Sequence, residues 1–227
     1  MLWAMLWDFL FGSIFGWWIL FLLAASALGA LRAAWRKWNR HLRAIAANRA
    51  RLSDARNAES RYALALVYSE GRKWKSALAL IDEAIDIASS DSRYNQVPHR
   101  FLRLKADCLY GRRDWTAAAA AYRKALDAKS DTGYADALLG VARSEYRAGH
   151  WKEAVEFSRH AVHEQESRLE SYFRWAQAAS AGGDAAGTVR AASEFRRVAA
   201  MLPPFARQRR LWWRIAFLAF PIARRIG

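Results

Sequence analysis

The apolar residues near the start of the chain form one long unbroken run. Residues 9–31 are 23 consecutive positions without a charged side chain, and a helix needs about 20 such positions to cross a bilayer. A cleaved signal peptide is the alternative, because the stretch Ala25-Ser26-Ala27 resembles a cleavage site. The run is long for that purpose, and Asp8 rather than a basic cluster precedes it. The pattern therefore favours a retained transmembrane helix within residues 1–31.

The next apolar positions recur at helical spacing within a basic segment, residues 32–57. This periodicity predicts that the helix continues beyond the bilayer. Three partners for the apolar stripe remain open: the membrane surface, a second copy of the chain, or the domain that follows. The stripe consists of Trp35, Trp38, Leu42, Ile45 and Leu52.

Three stretches of the middle region align with one another without internal gaps. They read GRKWKSALALIDEAI, GRRDWTAAAAAYRKAL and AGHWKEAVEFSRHAV, and are anchored by Trp74, Trp115 and Trp151 at spacings of 41 and 36 residues. Two antiparallel helices per repeat explain the pattern, because small residues let helices approach closely and the aromatic fills the junction with the next repeat. The recurring small residues are Ala65, Ala77 and Ala84, then Ala106, Ala118 and Ala125, then Ala142, Ala154 and Ala161.

Turn and cap residues agree with this interpretation. Gly71, Gly111 and Gly149 are predicted in the turn inside each repeat. Asn57 is expected to cap the first repeat helix. The longer first spacing is absorbed by a polar loop at residues 89–98.

The spacing and identity of these residues resemble the tetratricopeptide repeat (TPR). The tyrosine common in the first helix is present only as Tyr68; Leu109 and Glu145 stand at the later positions, and the proline common at the repeat end is absent. The resemblance implies an all-α fold in which an N-terminal transmembrane helix is followed by a helical-hairpin repeat solenoid. Its array is expected over residues 58–200, with units at about 58–90, 98–130 and 135–167 and a degenerate, capping unit at 169–200.

A basic segment with an apolar stripe follows at residues 205–227. Its longest uncharged stretch, residues 215–223, is too short to cross a bilayer. Arginines form one stripe on a helical wheel and apolar residues face away from it, which favours a helix lying in the membrane interface. A helix capping the last repeat is the alternative. The residues predicted at the membrane interface are Trp35, Arg36, Lys37 and Trp38 beside the span, and Arg210, Trp212, Trp213 and Arg214 in this segment.

The positive charge is concentrated in the two flanks of the chain. The formal net charge is +15, and residues 32–60 and 196–227 contribute nearly all of it, while the middle is almost neutral. A nucleic-acid domain would carry its basic patch on the folded body, so a membrane surface is expected as partner and nucleic acid is not. Basic residues follow the span and only Asp8 precedes it, which places the N-terminus outside and the repeats in the cytoplasm. Abundant arginine and alanine point to a bacterium, and so to its inner membrane.

No motif in the sequence predicts catalysis, a metal site or a cofactor. Cys108 lies inside a predicted helix and is interpreted as a small core residue. His160 and His163 lie on one predicted helix face, for which a solvated outer surface is favoured over a metal site. Gly182-Gly183 lacks the strand and lysine of a phosphate loop. The chain is expected not to be an enzyme.

The TPR resemblance implies a different kind of site, a concave groove lined by the first helix of each repeat. Its mixture of tyrosine and arginine suits a peptide that bears acidic and apolar groups. The expected function is a membrane-anchored scaffold or adaptor for a protein partner, with a self-associating assembly factor or a periplasm-facing protein of envelope biogenesis as alternatives. The groove residues are Tyr62, Leu66, Arg100, Arg103, Asp107, Tyr110, Leu139, Arg143, Tyr146 and Arg147, with Glu59, Ser69 and Asp136 at equivalent positions.

Overall fold

The computed structural model describes residues 14–54, 57–94, 97–128 and 133–203, and within these ranges the chain forms nine α-helices and no strand. The predicted all-α class is therefore confirmed. The helices are α1 (Ile14–Ser53), α2 (Ala58–Glu70), α3 (Trp74–Ser90), α4 (His99–Gly111), α5 (Trp115–Asp127), α6 (Tyr134–Ala148), α7 (Trp151–Glu164), α8 (Leu169–Ala181) and α9 (Ala185–Met201).

Helices α2 to α9 stack as four consecutive hairpins. Each helix packs on the next one in the chain, both within a hairpin and between hairpins. Close packing of this kind requires small side chains where the helices meet. All nine alanines singled out by the repeat alignment are at most 2% exposed. The predicted helical-hairpin solenoid, and the role of its small residues, are confirmed.

Two of the anchoring aromatics lie at junctions between hairpins, as predicted: Trp74 meets Gly111 and Trp151 meets Gly182, while Trp115 contacts Tyr110 of its own hairpin. A Cβ added to Gly111 would lie 2.6 Å from Trp74 Cε2, so only glycine lets α4 end against that ring. In the first two turns the left-handed residue is an arginine: Arg72 (φ 57°), which follows Gly71, and Arg113 (φ 67°), two residues after Gly111. Only Gly149 takes that role itself, with φ 88°. Asn57 caps α2 as predicted, because its Oδ1 accepts a hydrogen bond of 3.1 Å from the Ser60 amide.

Glu145, which departs from the repeat pattern, is stabilised by charged neighbours. Its side chain is only 4% exposed. Arg123 of α5 donates to Oε1 at 2.5 Å, and His150 Nδ1 lies 2.6 Å from Oε2. A buried carboxylate is tolerated when it is paired in this way. The departure from tyrosine is therefore compensated by an ion pair between adjacent hairpins.

The last hairpin, α8 and α9, has a larger apolar core than the hairpin before it. Tyr172 and Trp175 of α8 pack in one buried cluster with Phe195, Val198 and Leu202. Asp184 caps α9 by accepting a hydrogen bond of 2.7 Å from the Gly187 amide. Phe195 thus supplies bulk at the end of the stack, where no further hairpin follows among the described helices.

Helix α1 is one continuous helix of 40 residues, as the periodicity predicted. It docks on the repeats through Ala47, which is buried, and Ala44, which packs on the first core cluster. Arg43 Nη2 pairs with Glu70 Oε2 at 2.6 Å, and Arg40 Nη1 donates to the Glu70 carbonyl at 3.3 Å. Of the apolar stripe, only Trp38 borders this contact, where it lines a cavity with Val67 and Tyr68 of α2.

The described members of that stripe all remain exposed. Trp35 is 65% exposed, Trp38 58%, Leu42 46% and Ile45 39%. Packing on the domain that follows therefore leaves most of the described stripe uncovered, because α1 contacts the repeats mainly through the face that carries Ala44 and Ala47. The membrane surface and a second copy remain as possible partners.

Replacing Gly140 by alanine is expected to lower the stability of the repeats. A Cβ at Gly140 would lie 2.4–2.6 Å from the ring of the buried Tyr122, and such overpacking costs about 1–3 kcal/mol. Thermal unfolding of the full chain in detergent, followed by circular dichroism at 222 nm, measures the effect. Gly71→Ala is the matched control, because its Cβ would meet nothing closer than 3.4 Å. Equal melting temperatures for the two variants would contradict the prediction.

Candidate partner-binding groove

The predicted groove residues lie on α2, α4 and α6, the first helices of the first three hairpins. Residues three or four apart on a helix share one face. Helix α2 contacts α4, α4 contacts α6, and α6 contacts α8. These contacts bring the corresponding faces of the four helices side by side.

The α2 and α4 end of the groove is built from an aromatic stack and an ion pair. The ring of Tyr62 stacks on Phe101 with centroids 4.9 Å apart. Arg100 donates to Glu59, and its guanidinium carbon lies 5.6 Å from the Tyr62 centroid. Leu66 is partly buried against the first core cluster. The charge of Arg100 is thus already matched by an acid of this chain.

Asp136 at the start of α6 is held between two arginines. Arg103 Nη1 of α4 donates to Oδ2 at 3.0 Å, and Arg168 Nη1 donates to Oδ1 at 2.5 Å. Burial by itself would raise the pKa of Asp136, but the Arg168 hydrogen bond and the charges of Arg168, Arg103 and Arg143 lower it overall. Asp136 therefore stays ionised and ties three hairpins together.

Asp107 lies deeper, between the groove and the core. Tyr122 of α5, which is buried, donates its hydroxyl hydrogen to Asp107 Oδ1. Burial raises the pKa of Asp107, although the Tyr122 hydrogen bond and the charges of Arg143 and Arg103 act in the opposite direction. Burial and the neighbouring Asp107 also raise the pKa of Tyr122. This pair supports the floor of the groove and is poorly placed to meet a ligand directly.

Arg143 differs from the other two arginines predicted in the middle of the groove, Arg100 and Arg103. Its guanidinium carbon lies 5.6 Å from the centroid of Tyr110, whose ring meets Trp115 edge to face at 4.9 Å. Its Nε is buried and has no hydrogen-bond partner among the described residues. A cation held over an aromatic ring keeps its hydrogen-bonding capacity for other partners. Arg143 thus differs from Arg100 and Arg103 in carrying a buried donor that no described residue satisfies.

Three further predicted residues differ in accessibility. Leu139 is 0% exposed and belongs to a core cluster with Leu138 and Ala161. Its prediction as a groove residue is wrong, because the helix turns this position toward the second helices of the stack. Tyr146 is half-buried beside Trp151, with ring centroids 5.2 Å apart, and Arg147 is exposed.

The sequence analysis missed a group of charged residues in the last hairpin. Arg168 Nη2 lies 3.4 Å from Glu170 Oε2, and Arg174 Nη2 lies 3.5 Å from Glu170 Oε1. In the unit that starts at residue 169, Glu170 occupies the second position, which is a groove position in the earlier repeats. The repeat pattern of this unit is degenerate, so Glu170 was not predicted. Arg168 lies before the unit, and only the fold brings it to Asp136.

The predicted interfacial residues beside the span are exposed, and those of the tail lie outside the described residues. Trp35, Trp38, Arg36 and Lys37 all lie on the exposed surface of α1. One helix of the described chain, over Trp17–Ala50, is long and apolar enough to cross a membrane, with a mean hydropathy of 1.6 in its most apolar window. A signal sequence can have the same length and composition. Arg210, Trp212, Trp213 and Arg214 lie outside the described ranges.

The structure describes the surroundings of Cys108 and of the His160–His163 pair. Burial raises the pKa of Cys108 to about 12, which leaves its thiol protonated and unreactive. His160 and His163 line an open cavity of about 800 Å³ with Glu156 and Glu164. In the ranges that the structure describes, no three histidine, cysteine or acidic side chains are grouped closely enough to hold a metal ion.

The hairpin stack, its alanine positions and its junction aromatics define a TPR-type repeat protein. Solved structures share this fold: MamA, with a TM-score of 0.63 and 14% identity over 73% of this chain and 85% of that one; MamA of Desulfovibrio magneticus RS-1, with 0.61 and 11% over 78% and 94%; and YrrB, a TPR protein with an unusual peptide-binding site, with 0.59 and 10% over 82% and 87%. Identities this low establish the fold alone.

No family model matches the sequence. No curated protein matches it significantly. The structure and its solved neighbours therefore show the fold, and a fold of this kind does not by itself specify a function.

Replacing Asp136 by asparagine is expected to lower the melting temperature at pH 7, because two arginines lose their charged acceptor. The loss is limited to about 1 kcal/mol per pair, since the side chain is 46% exposed. The folded pKa lies below the unfolded value of about 3.9. The stabilisation is therefore complete above about pH 4 and disappears as the pH falls through the folded pKa.

Melting temperatures of the two proteins at pH 7 and pH 3 test this expectation. The difference between them should shrink at the lower pH. Asp86→Asn, on an exposed face of α3, serves as the control and should leave the melting temperature nearly unchanged at both values. A difference for Asp136→Asn that stays constant with pH would show that its carboxylate is not the source of the stabilisation.

Proposed function

We propose that this chain is a membrane-anchored scaffold that holds a protein partner in its concave groove, through an acidic group of the partner placed on Arg143. The observation that carries the proposal is the state of Arg143. It is fixed over Tyr110, its Nε is buried, and it donates no hydrogen bond to any described residue. A buried donor without an acceptor costs free energy that a bound anion would recover.

The surroundings of Arg143 favour a carboxylate that is flanked by apolar groups. A guanidinium pairs with a carboxylate through two parallel hydrogen bonds. Tyr110 and Trp115 provide aromatic surface on one side of the cation, and Tyr146 and Trp151 provide more on α6 and α7. Aromatic residues and arginine are the side chains most often responsible for binding energy in protein interfaces.

The paired charges on either side restrict where the acid of a partner can dock. At one end Glu59 already matches Arg100. At the other, Asp136 is shared by Arg103 and Arg168, and Glu170 neighbours Arg168 and Arg174. An acidic peptide side chain placed at either end would meet a carboxylate of this chain. Like-charge repulsion of this kind excludes wrong registers and contributes to specificity.

The membrane part of the proposal depends on α1 and on the charge of the flanks. Residues 14–31 of α1 are apolar and exposed where the structure describes their side chains. Arginines follow this stretch, and the positive-inside rule therefore favours a cytoplasmic location for the repeats. We propose a single-pass protein of the bacterial inner membrane, with residues 205–227 lying on the same membrane face. A tether at the membrane raises the effective concentration of a bound partner there.

The proposal assigns no reaction and no cofactor to this protein. The protein acts by binding a partner. We propose four segments: the anchor (1–31), the juxtamembrane segment (32–57), the repeats (58–200) and the interface segment (205–227). Homo-oligomerisation is a separate question, because the groove does not include α1.

Selection of peptides from a random library on the full chain in detergent tests the groove. The enriched sequences are expected to share an acidic residue beside an apolar one. Their affinity should fall at least about tenfold for Arg143→Gln, because loss of a charge-assisted pair costs roughly 1.5–3 kcal/mol. Arg112→Gln is the matched control, since Arg112 is exposed in the turn after α4. Peptides without acids, or equal losses for both variants, would refute the role of Arg143.

Reporter fusions after residue 200 test the orientation. An enzyme that is active only in the cytoplasm should be active in this fusion, while one that is active only outside the membrane should be silent. The membrane fraction should retain the chain after washing at high pH, because a span holds it by apolar burial and not by charge. The reverse pair of activities would place the repeats in the periplasm and favour the alternative of envelope biogenesis.

A further inference from the structure

Helix α1 carries a seam of exposed apolar residues with a strict seven-residue repeat. Its members follow one another in alternating steps of three and four residues, which is the a and d pattern of a coiled coil. Each of them is between 39% and 67% exposed. The α1 seam consists of Leu28, Leu31, Trp35, Trp38, Leu42 and Ile45.

We propose that the α1 seam pairs two copies of this chain in a parallel, in-register coiled coil. In heptad terms Leu28, Trp35 and Leu42 take position a, and Leu31, Trp38 and Ile45 take position d. The seven-residue period matters because a straight helix drifts by about 20° per heptad relative to it. A strict repeat of seven therefore keeps the seam facing a second helix that supercoils with it.

The opposite face of α1 is already occupied. Ala44 and Ala47, which dock on the repeats, lie at positions c and f, and Arg40 and Arg43, which bond to Glu70, lie at f and b. Positions b, c and f point away from a and d. Docking on the repeats thus leaves the seam exposed; only Trp38 borders the docked hairpin, in a cavity that it lines with Val67 and Tyr68, and it remains 58% exposed.

Charge is excluded from the positions that would meet across a paired seam. In a parallel pair, positions e and g of the two helices face each other, and two copies would repel if these were basic. Arg36, Lys37, Arg40 and Arg43 all lie at b, c or f. Arg32 at e is the exception, and Arg49, at the next a position, ends the seam. The e and g residues between these two arginines are Ala34, Asn39, His41, Ala46 and Asn48.

Burial in the membrane alone does not explain the apolar residues in the half of the seam that lies farther from the span. This step rests on the proposed span. Leu42 and Ile45 lie 11 and 14 residues beyond Leu31, or about 16 and 21 Å along a continuous helix. The headgroup layer is only about 5–7 Å deep on each side. Two copies inserted in the same direction would also present their seams parallel and at the same height.

Cysteine cross-linking of the full chain in membranes tests the pairing. Leu42→Cys and Ile45→Cys should each form a disulfide-linked dimer on mild oxidation, severalfold more than Ala50→Cys, an exposed control at position b. Cross-linking at both seam positions is the signature of a parallel pair in register. The unaltered chain provides the background, because its single cysteine, Cys108, is buried. Equal cross-linking at Leu42, Ile45 and Ala50 would overturn the proposal.

A second pair of variants separates loss of pairing from loss of folding. Leu42→Glu/Ile45→Glu should convert the detergent-purified chain from dimer to monomer by native mass, while Ala33→Glu/Ala50→Glu, at positions f and b, should remain a dimer. Circular dichroism should show equal helix content in both. A dimeric Leu42→Glu/Ile45→Glu variant, or a monomeric unaltered chain, would overturn the proposal.

Washing the membranes at high pH distinguishes this proposal from that of the anchor. A chain that cross-links at the seam but washes off the membrane would keep the pairing and refute the span. A chain that resists washing but does not cross-link would refute the pairing and keep the span.

Discussion

The close approach of neighbouring helices is the constraint on which the rest of this structure depends. Every hairpin is closed by alanines that are almost completely buried, and larger side chains at these points would push the helices apart. Gly140 shows the same constraint in its extreme form, because the ring of Tyr122 occupies the space that any side chain would need. Tyr122 in turn donates its hydroxyl hydrogen to Asp107, which lies beneath the groove. The packing of the array and the shape of its groove are thus parts of one arrangement.

Within that arrangement, the arginines of the groove fall into two classes by their partners. Arg100 and Arg103 are neutralised by carboxylates of neighbouring hairpins, and these ion pairs hold the hairpins in register at little net gain in stability. Arg143 is held by an aromatic ring instead, and no described carboxylate accepts a hydrogen bond from it. The charge of Arg143 also acts on Asp107 and Asp136, whose pKa values it lowers, so what distinguishes Arg143 is an unmatched hydrogen-bond donor and not an unmatched charge. A single donor of this kind, among arginines that are already paired, would define a docking position more sharply than a uniformly basic surface.

Helix α1 combines three environments along one rod. Its first part is apolar on all sides, its later part docks on α2 through small residues and the Arg43–Glu70 pair, and its remaining face carries the exposed seam. Because the helix is continuous, the direction of the first part sets the direction of the other two. Membrane insertion, attachment of the repeats and the proposed pairing of two copies are therefore mechanically linked.

The sequence by itself determined the helical repeats, since alanine positions, junction aromatics and turn residues are local signals that recur at a fixed period. The sequence also predicted that α1 is continuous, because the helical spacing of its apolar residues is again a local signal. Only the tertiary structure decided which face each residue occupies. Leu139 is buried because α6 rotates it toward the core, and the stripe of α1 is exposed because another face meets α2. The contact of Arg168 with Asp136 joins residues 32 positions apart. Such pairings depend on the angles at which helices stack, and the periodicity of residues along one helix does not determine those angles.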